Sequence, residues 1–290
     1  MKISAVLIVK NEAPCIERCL ESIKDFDEIV IVDTGSTDGT QDICCRYTDK
    51  VYEDYKWNDD FAEARNYANS KATGDWLYSI DADHYNISTI EEFRSEVAKA
   101  EEGGHIVCFV NSIHETSRME HWRELLWKNG QGVRWVGPVH ECLNPPATYR
   151  TNLARVYGYS KNHASDPMRN IRILKKRCDV SLPRTQFYLG REYYEKGLFL
   201  DSINWLDKYL EKAWWIPEKC EALITKARCL WKLNRGNEAR EVMLECIRNN
   251  PDFKEALLFM GELHYEPWRS RWNRLAEACT NEDVLFIRNR

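Results

Sequence analysis

Glu28-Ile-Val-Ile-Val-Asp33-Thr-Gly-Ser-Thr-Asp-Gly-Thr40 is the stretch whose reading decides the fold. Its first half is a continuous apolar run, the pattern of a strand buried on both faces. Asp33 ends that run. Residues 34–40 are turn formers and helix caps, and residues 41–47 read as a helix. Alone, the polar half fits two roles. Ser36, Thr37 and Asp38 cap helices without any ligand, whereas a carboxylate at the end of a buried strand can accept hydrogen bonds from a base or ribose.

The same grammar continues on both sides. Ile3–Val9 is a second continuous apolar run, followed by Val9-Lys10-Asn11-Glu12 and a helical pattern over 12–24 with Ile16, Leu20 and Ile23 on one face. Lys50–Asp54 reads as a short strand, and 60–70 as a helix with Asp60 as its cap. Trp76–Ile80 is a strand ending at Asp81-Ala82-Asp83-His84, 90–100 is a helix, and His105–Val110 is a further strand. Strands alternating with helices predict an open α/β sheet, whose ligands bind beyond the carboxyl ends of its strands. Residues 118–154 hold six Gly and Pro between 130 and 146 and read as short strands and loops.

After about Ser165 the pattern becomes helical throughout. Leu189-Gly190-x-x-Tyr193, Lys226-Ala227-x-x-Leu230 and Met260-Gly261-x-x-His264 recur at offsets of 37 and 34 residues. The spacing is similar to tetratricopeptide repeats, in which small residues let paired helices approach; a plain helical bundle is the alternative. The expected division is a domain over 1–164 and a helical-repeat domain over 165–290.

Composition bounds the function. The chain has 290 residues, 30% charged, with net charge −5, so it is not a uniformly basic nucleic-acid coat. Its eleven cysteines form no Cys-x-x-Cys pair, so reduced thiols in a cytoplasmic protein are expected rather than a zinc ribbon or disulfide framework. The apolar run at Ile3–Val9 is too short for a secretory signal, and no stretch reaches the ~18 apolar residues of a membrane span. Locally the charge inverts: residues 118–177 hold twelve Lys or Arg against four acidic residues, interleaved with Trp122, Trp127, Trp135 and Tyr149.

Four features fall at expected strand ends. They are Lys10-Asn11-Glu12, the Asp33 loop, Asp81-Ala82-Asp83 and Trp135-Val-Gly-Pro-Val-His140-Glu141. Two carboxylates one residue apart can share a hard cation, Mn²⁺ or Mg²⁺, that keeps positions for phosphates; a bare Asp-x-Asp also caps helices. Together with Asp60-Phe-Ala-Glu-Ala-Arg65-Asn66 and Ala72-Thr-Gly-Asp-Trp76, and in this order, the chain resembles the family 2 glycosyltransferases of the GT-A fold. The resemblance runs from Ile3 to about Tyr159. With Tyr157-Gly158-Tyr159 and a helical-repeat tail, it is similar to a subgroup in which a tetratricopeptide-like region follows the transferase domain.

That resemblance implies roles. Asp33 would hold the nucleobase, with Val9 and Glu12 lining its pocket. Arg65 and Asn66 would face the nucleotide or its phosphates, Asp81 the ribose, and Asp83 the metal on the diphosphate of a UDP-sugar. His140 would be a metal ligand or acceptor-side group, and Glu141 the base of an inverting transfer. Two positions depart from the subgroup: His84 stands where an acidic residue is usual, and Val156 where a histidine is. His163 is an alternative metal ligand. The acceptor stays open among a saccharide, a peptide or protein side chain, and a DNA base, the last suggested by the basic aromatic segment. A degenerate domain serving as a binding scaffold is the competing class. A nucleotidyltransferase would need a glycine-rich phosphate loop, which Lys10-Asn-Glu-Ala-Pro14 is not.

Overall fold

The computed structural model describes residues 1–118, 120–158 and 166–280. The chain forms two compact units, the first running Met1–Asp166 and the second beginning at Pro167. The expected boundary at 164/165, Tyr159 and His163 lie outside the described residues.

The first unit is an eight-stranded mixed sheet in the order β3-β2-β1-β4-β7-β6-β10-β5. Strands β1 (Ile3–Val9), β2 (Glu28–Asp33), β3 (Val51–Tyr52) and β4 (Trp76–Ser79) are mutually parallel. The apolar runs become β1 and β2, buried on both faces because helices cover both sides. Helix α1 (Ile16–Ile23) buries Ile16, Cys19, Leu20 and Ile23, one face of a 3.6-residue period. It starts later than the pattern from Glu12 suggests, because Asn11 takes a left-handed backbone (φ 56°) and residues 13–15 form a turn. Helix α2 spans Thr40–Cys44. Helix α3 (Phe61–Lys71) is capped by the Asp60 carboxylate on the Glu63 amide, and α4 (Ile90–Glu102) opens with a Thr89/Glu92 capping box.

The segment expected to hold short strands and loops is corrected by the structure. It contains β7 (Glu120–Lys128) and β10 (Tyr149–Tyr157), nine residues each, and both join the main sheet. Only β8 (Arg134–Val136) and β9 (Cys142–Asn144) are short, and they pair with each other. Strand β7 inserts antiparallel between β4 and β6 (Val107–His114). Its half-exposed charged start broke the apolar run by which β1 and β2 are read.

Strand β5 (His84–Asn86) follows the Asp81–Asp83 turn directly and pairs antiparallel with β10. Three strands separate β4 from β5, about 19 Å at ~4.8 Å per spacing. The few residues between Ser79 and His84 reach roughly 17 Å when extended. The sheet therefore curls, and the Asp81–Asp83 turn crosses the mouth of the curl.

The second unit is helical: α5 (Arg169–Arg177), α6 (Pro183–Glu195), α7 (Phe199–Leu210), α8 (Ile216–Lys232), α9 (Gly236–Asn249), α10 (Lys254–Glu262) and α11 (Trp268–Glu277). Helices α6–α7, α8–α9 and α10–α11 are successive packed pairs. The three recurring small residues sit where neighbours come closest. A Cβ on Gly190 would lie 2.5 Å from Leu206 of α7, one on Gly261 would lie 2.5 Å from Asn273 of α11, and Ala227 is fully buried. Among the described residues no helix is long and apolar enough to cross a membrane. All eleven cysteines are free thiols.

Candidate active site at the carboxyl end of the sheet

Parallel strands β1, β2 and β4 bring Val9, Asp33 and Asp81 to one end of the sheet. The loops after β1 and β2 are laced together. The Val9 carbonyl accepts from the Thr34 amide (2.9 Å) and hydroxyl (3.0 Å). The Asn11 amide donates to Ser36 Oγ, the Glu12 amide to Thr40 Oγ1 (both 2.8 Å) and the Ala13 amide to Asp38 (3.1 Å). The hydroxyls and carboxylate of 36–40 are therefore spent mainly on joining two loops. Asp33 differs. Its Oδ1 accepts from the amides of Gly35 and Ser36, both at 2.7 Å, while Oδ2 is buried without a hydrogen bond among the described residues. Gly35 needs its freedom here, with φ 109°. Buried carboxylate oxygens are seldom left unmatched.

Arg65 is the hub of the second half of the site. Reaching out of α3, it donates from Nη2 to Asp81 Oδ1 (2.6 Å), from Nε to Glu141 Oε1 (2.7 Å) and from Nη1 to Ser79 Oγ (3.2 Å). Its guanidinium lies 5.1 Å from the Trp135 ring. Burial works against the Arg65 charge, but Asp81 and Glu141 outweigh it and raise its pKa further. Burial favours protonated Asp81, yet the charges of Arg65, Arg155 and Arg123 hold its carboxyl well below the usual range. Arg65 and Asp81 are thus both ionised, an ion pair with Glu141 bonded on the other side of the guanidinium. Glu141 Oε2 makes no hydrogen bond among the described residues.

His84 stands between the two aspartates, Nδ1 3.4 Å from Asp81 Oδ2 and Nε2 3.4 Å from Asp83 Oδ1. Burial, reinforced by Arg155, pushes its pKa well below the ordinary value, so it is neutral at pH 7. The Tyr157 ring has three imidazoles edge-on to it: His84 at 5.7 Å, and His114 and His121 at 5.0 Å. Burial pushes His121 down to about 4, with Arg123, Arg155 and His114 adding to it.

The expected residues separate into groups. Val9, Glu12 and Asp33 share one loop cluster. Arg65, Asp81 and Glu141 share one ion chain, with Asp83 beside it. Asn66 exchanges two 2.9 Å hydrogen bonds with the backbone of Trp135, clamping β8 to α3, so its amide is spent on the fold. His140 takes a left-handed backbone (φ 54°) in the turn that the Phe61 amide ties to the Pro138 carbonyl (2.8 Å). Among the described residues no three His, Cys, Asp or Glu are arranged as a metal-holding group. The donor chemistry nevertheless fits a hard cation held mainly by its own ligands: Asp83 offers a carboxylate with a 16% exposed side chain, and phosphate oxygens and water would supply the rest. Sequence reading singled out His84 but missed Arg155, Ser79 and the other two imidazoles around Tyr157, His114 and His121. Arg155 did leave a signal, a cation inside the apolar pattern Leu153-Ala-Arg-Val-Tyr157.

The Glycosyl transferase family 2 pattern matches residues 4–165, more than half of the chain. The chain belongs to glycosyl transferase family 2. The matched range takes in every element of the site. The SPbeta prophage-derived glycosyltransferase SunS of Bacillus subtilis is 33% identical over 225 residues, which cover 71% of this chain and 52% of SunS. A TPR repeat-containing protein of Synechococcus elongatus is 32% identical over 183 residues, 56% of this chain and 43% of that protein. This chain thus spans about half the length of the curated relatives it matches. A crystal structure of S. aureus TarS 1-349 in complex with UDP is similar at a TM-score of 0.46 and 15% identity, covering 92% of this chain and 93% of that one.

Proposed function

We propose that this chain transfers a sugar from a nucleoside-diphosphate sugar, a UDP-sugar in our reading, to an acceptor, with metal dependence and inversion. The observation that carries this is the buried, unmatched Oδ2 of Asp33 at the carboxyl end of β2. A carboxylate oxygen there is suited to accept the imide N–H of a uracil, with Val9 and Glu12 walling the pocket. Arg65 holds Asp81 toward the ribose, and Asn66 sets the height of the β8 strand above the nucleotide. Asp83 would hold Mn²⁺ or Mg²⁺ against the diphosphate. When bound, such a cation offsets the charge that develops on the leaving group. Glu141, fixed through Oε1 by Arg65, presents Oε2 as the base for the acceptor's proton, with His140 beside it in the chain.

The transferase domain in this reading is 1–164, and 165–290 is a tetratricopeptide-like platform for the acceptor. The acceptor classes are a saccharide, a peptide or protein side chain, and a DNA base. The test is incubation with a panel of nucleotide sugars and Mn²⁺, with and without chelator. Slow metal-dependent release of UDP from one donor is expected. Absence of donor binding with every metal would leave the binding-scaffold reading in its place.

A further inference from the structure

Arg155 is the buried cation to which no role has been given. It lies on β10, paired with Ser112 of β6 and Asn86 of β5, and its side chain is 1% exposed. Among the described residues its partners are few for that depth. Nε donates to Ser112 Oγ at 3.0 Å, Nη1 makes no hydrogen bond, and the Asp81 Oδ2 carboxylate oxygen stands 3.7 Å from Nη1. A guanidinium so poorly matched does not serve stability: an apolar side chain of similar volume usually does as well or better. What it does provide is a second bracket on one carboxylate. Arg65 fixes Asp81 Oδ1 from helix α3, and Arg155 faces Oδ2 from strand β10. Asp81 opens the turn that crosses the mouth of the curled sheet, and Asp83 lies two residues further along it.

We infer that Arg155 is a positioning residue: steered by Ser112, it braces Asp81 from β10 so that the Asp81–Asp83 turn presents Asp83 to the donor diphosphate in one orientation. This rests on the donor site proposed above. Misplacement of a metal-binding group by about an ångström costs on the order of 10²-fold in rate, so a brace with no substrate contact can matter.

The experiment measures donor hydrolysis by the full chain while Mn²⁺ and UDP-sugar are titrated. Arg155→Met should raise the Mn²⁺ concentration for half-maximal activity and the donor KM by about tenfold or more, with a melting temperature equal to or above wild type. Arg155→Lys should recover part of the loss, and Ser112→Ala should shift the same constants in the same direction but less. A merely structural arginine would lower the melting temperature and leave metal dependence and KM unchanged, and that result overturns the inference. Should the Met variant not fold, the Lys and Ser112→Ala variants decide the kinetic question. A second arm needs no donor. In a double-mutant cycle of melting temperatures, Arg155→Met should relieve part of the loss caused by Asp81→Asn, because it removes a cation left without its carboxylate. Strictly additive losses would overturn the brace. If wild type bound no nucleotide sugar, the proposed function would fall, and this cycle alone would judge Arg155.

Discussion

Strand β2 carries a buried carboxylate at each end, and the two are treated in opposite ways. Glu28, at its start, is matched at both oxygens. Ser4 Oγ, the Thr73 amide (2.7 Å) and the Thr73 hydroxyl (2.8 Å) donate to it, and Lys50 and Lys2 pair with its charge. Gly74 completes that corner, since a Cβ there would lie 2.4 Å from Ser4 Oγ. Asp33, at the other end, keeps one buried oxygen without a donor, and Arg155 Nη1 is likewise unmatched near Asp81. The same strand thus anchors a closed polar network at one end and an open one at the other. A closed network specifies structure; an open one is a place where a ligand's groups can finish the pairing.

The contrast breaks most readily at Asp83. Asp83→Ala should lower turnover by at least about 10²-fold and abolish metal-dependent donor binding, with a stability change within about 0.5 kcal/mol for a site at a strand end. Unchanged hydrolysis, or hydrolysis unaffected by chelator, would remove Asp83 from the site. Glu28→Ala should do the reverse. It leaves the buried Ser4 hydroxyl without its acceptor and unpairs the partly exposed Lys2 and Lys50, so we expect about 1–3 kcal/mol less stability by denaturant titration. Donor affinity of the folded fraction should stay at the wild-type value, and a large change in it would mean the two ends are coupled.

Asp33→Ala sharpens the comparison at its other pole. It should weaken donor binding by roughly 1.5–3 kcal/mol, about 10- to 150-fold, the loss of one charge-assisted hydrogen bond. Calorimetry reads this directly. Unaltered affinity would make Asp33 a turn residue like its neighbours Ser36 and Asp38, whose side chains serve the loops.

What was legible in the sequence follows the same division. Strands β1 and β2 and the Asp60 cap are local: an apolar run or one carboxylate before a helix suffices to read them. The carboxyl-end placement of Asp33 and Asp81 followed from the alternation of strands and helices alone. Strands β7 and β10 were not legible as sheet members, because their place depends on partners far along the chain. Ala72-Thr-Gly-Asp-Trp76 belongs to the closed corner: the Asp75 carboxylate accepts from the Lys2 amide (2.7 Å), and Thr73 serves Glu28. Asn66 looked like a ligand residue and turned out to clamp Trp135, a distinction that side-chain type cannot make. Arg155 was overlooked because a cation inside a strand pattern reads as an edge position until the sheet's closure buries it.

The smallest expected effect is the pH signature of the closed network. Burial would raise the Glu28 pKa, but hydrogen bonds from Lys50, Ser4 and Thr73 outweigh it and hold the carboxyl well below the usual carboxylate range. In the unfolded chain a glutamate titrates near ~4.3. The folded value is the lower one, so the unfolded state takes up the proton first as pH falls. The stability Glu28 contributes is therefore full above about pH 5 and is lost as pH drops through ~4.3 toward the folded value. Glu28→Gln keeps the shape and cannot titrate. At pH 7 it should be less stable than wild type, and the gap between the two should narrow steadily as pH falls from about 5 to 3. Side chains of Lys50 and Lys2 are 34% and 40% exposed, so solvent screens part of the pairing and the closing is set at about 1 kcal/mol. Other depressed carboxylates, Asp81 and Glu96 among them, titrate in both proteins and cancel in the difference. Parallel stability curves down to pH 3 would show that Glu28 keeps its charge no better folded than unfolded, and the closed network would lose its claim to be an electrostatic anchor.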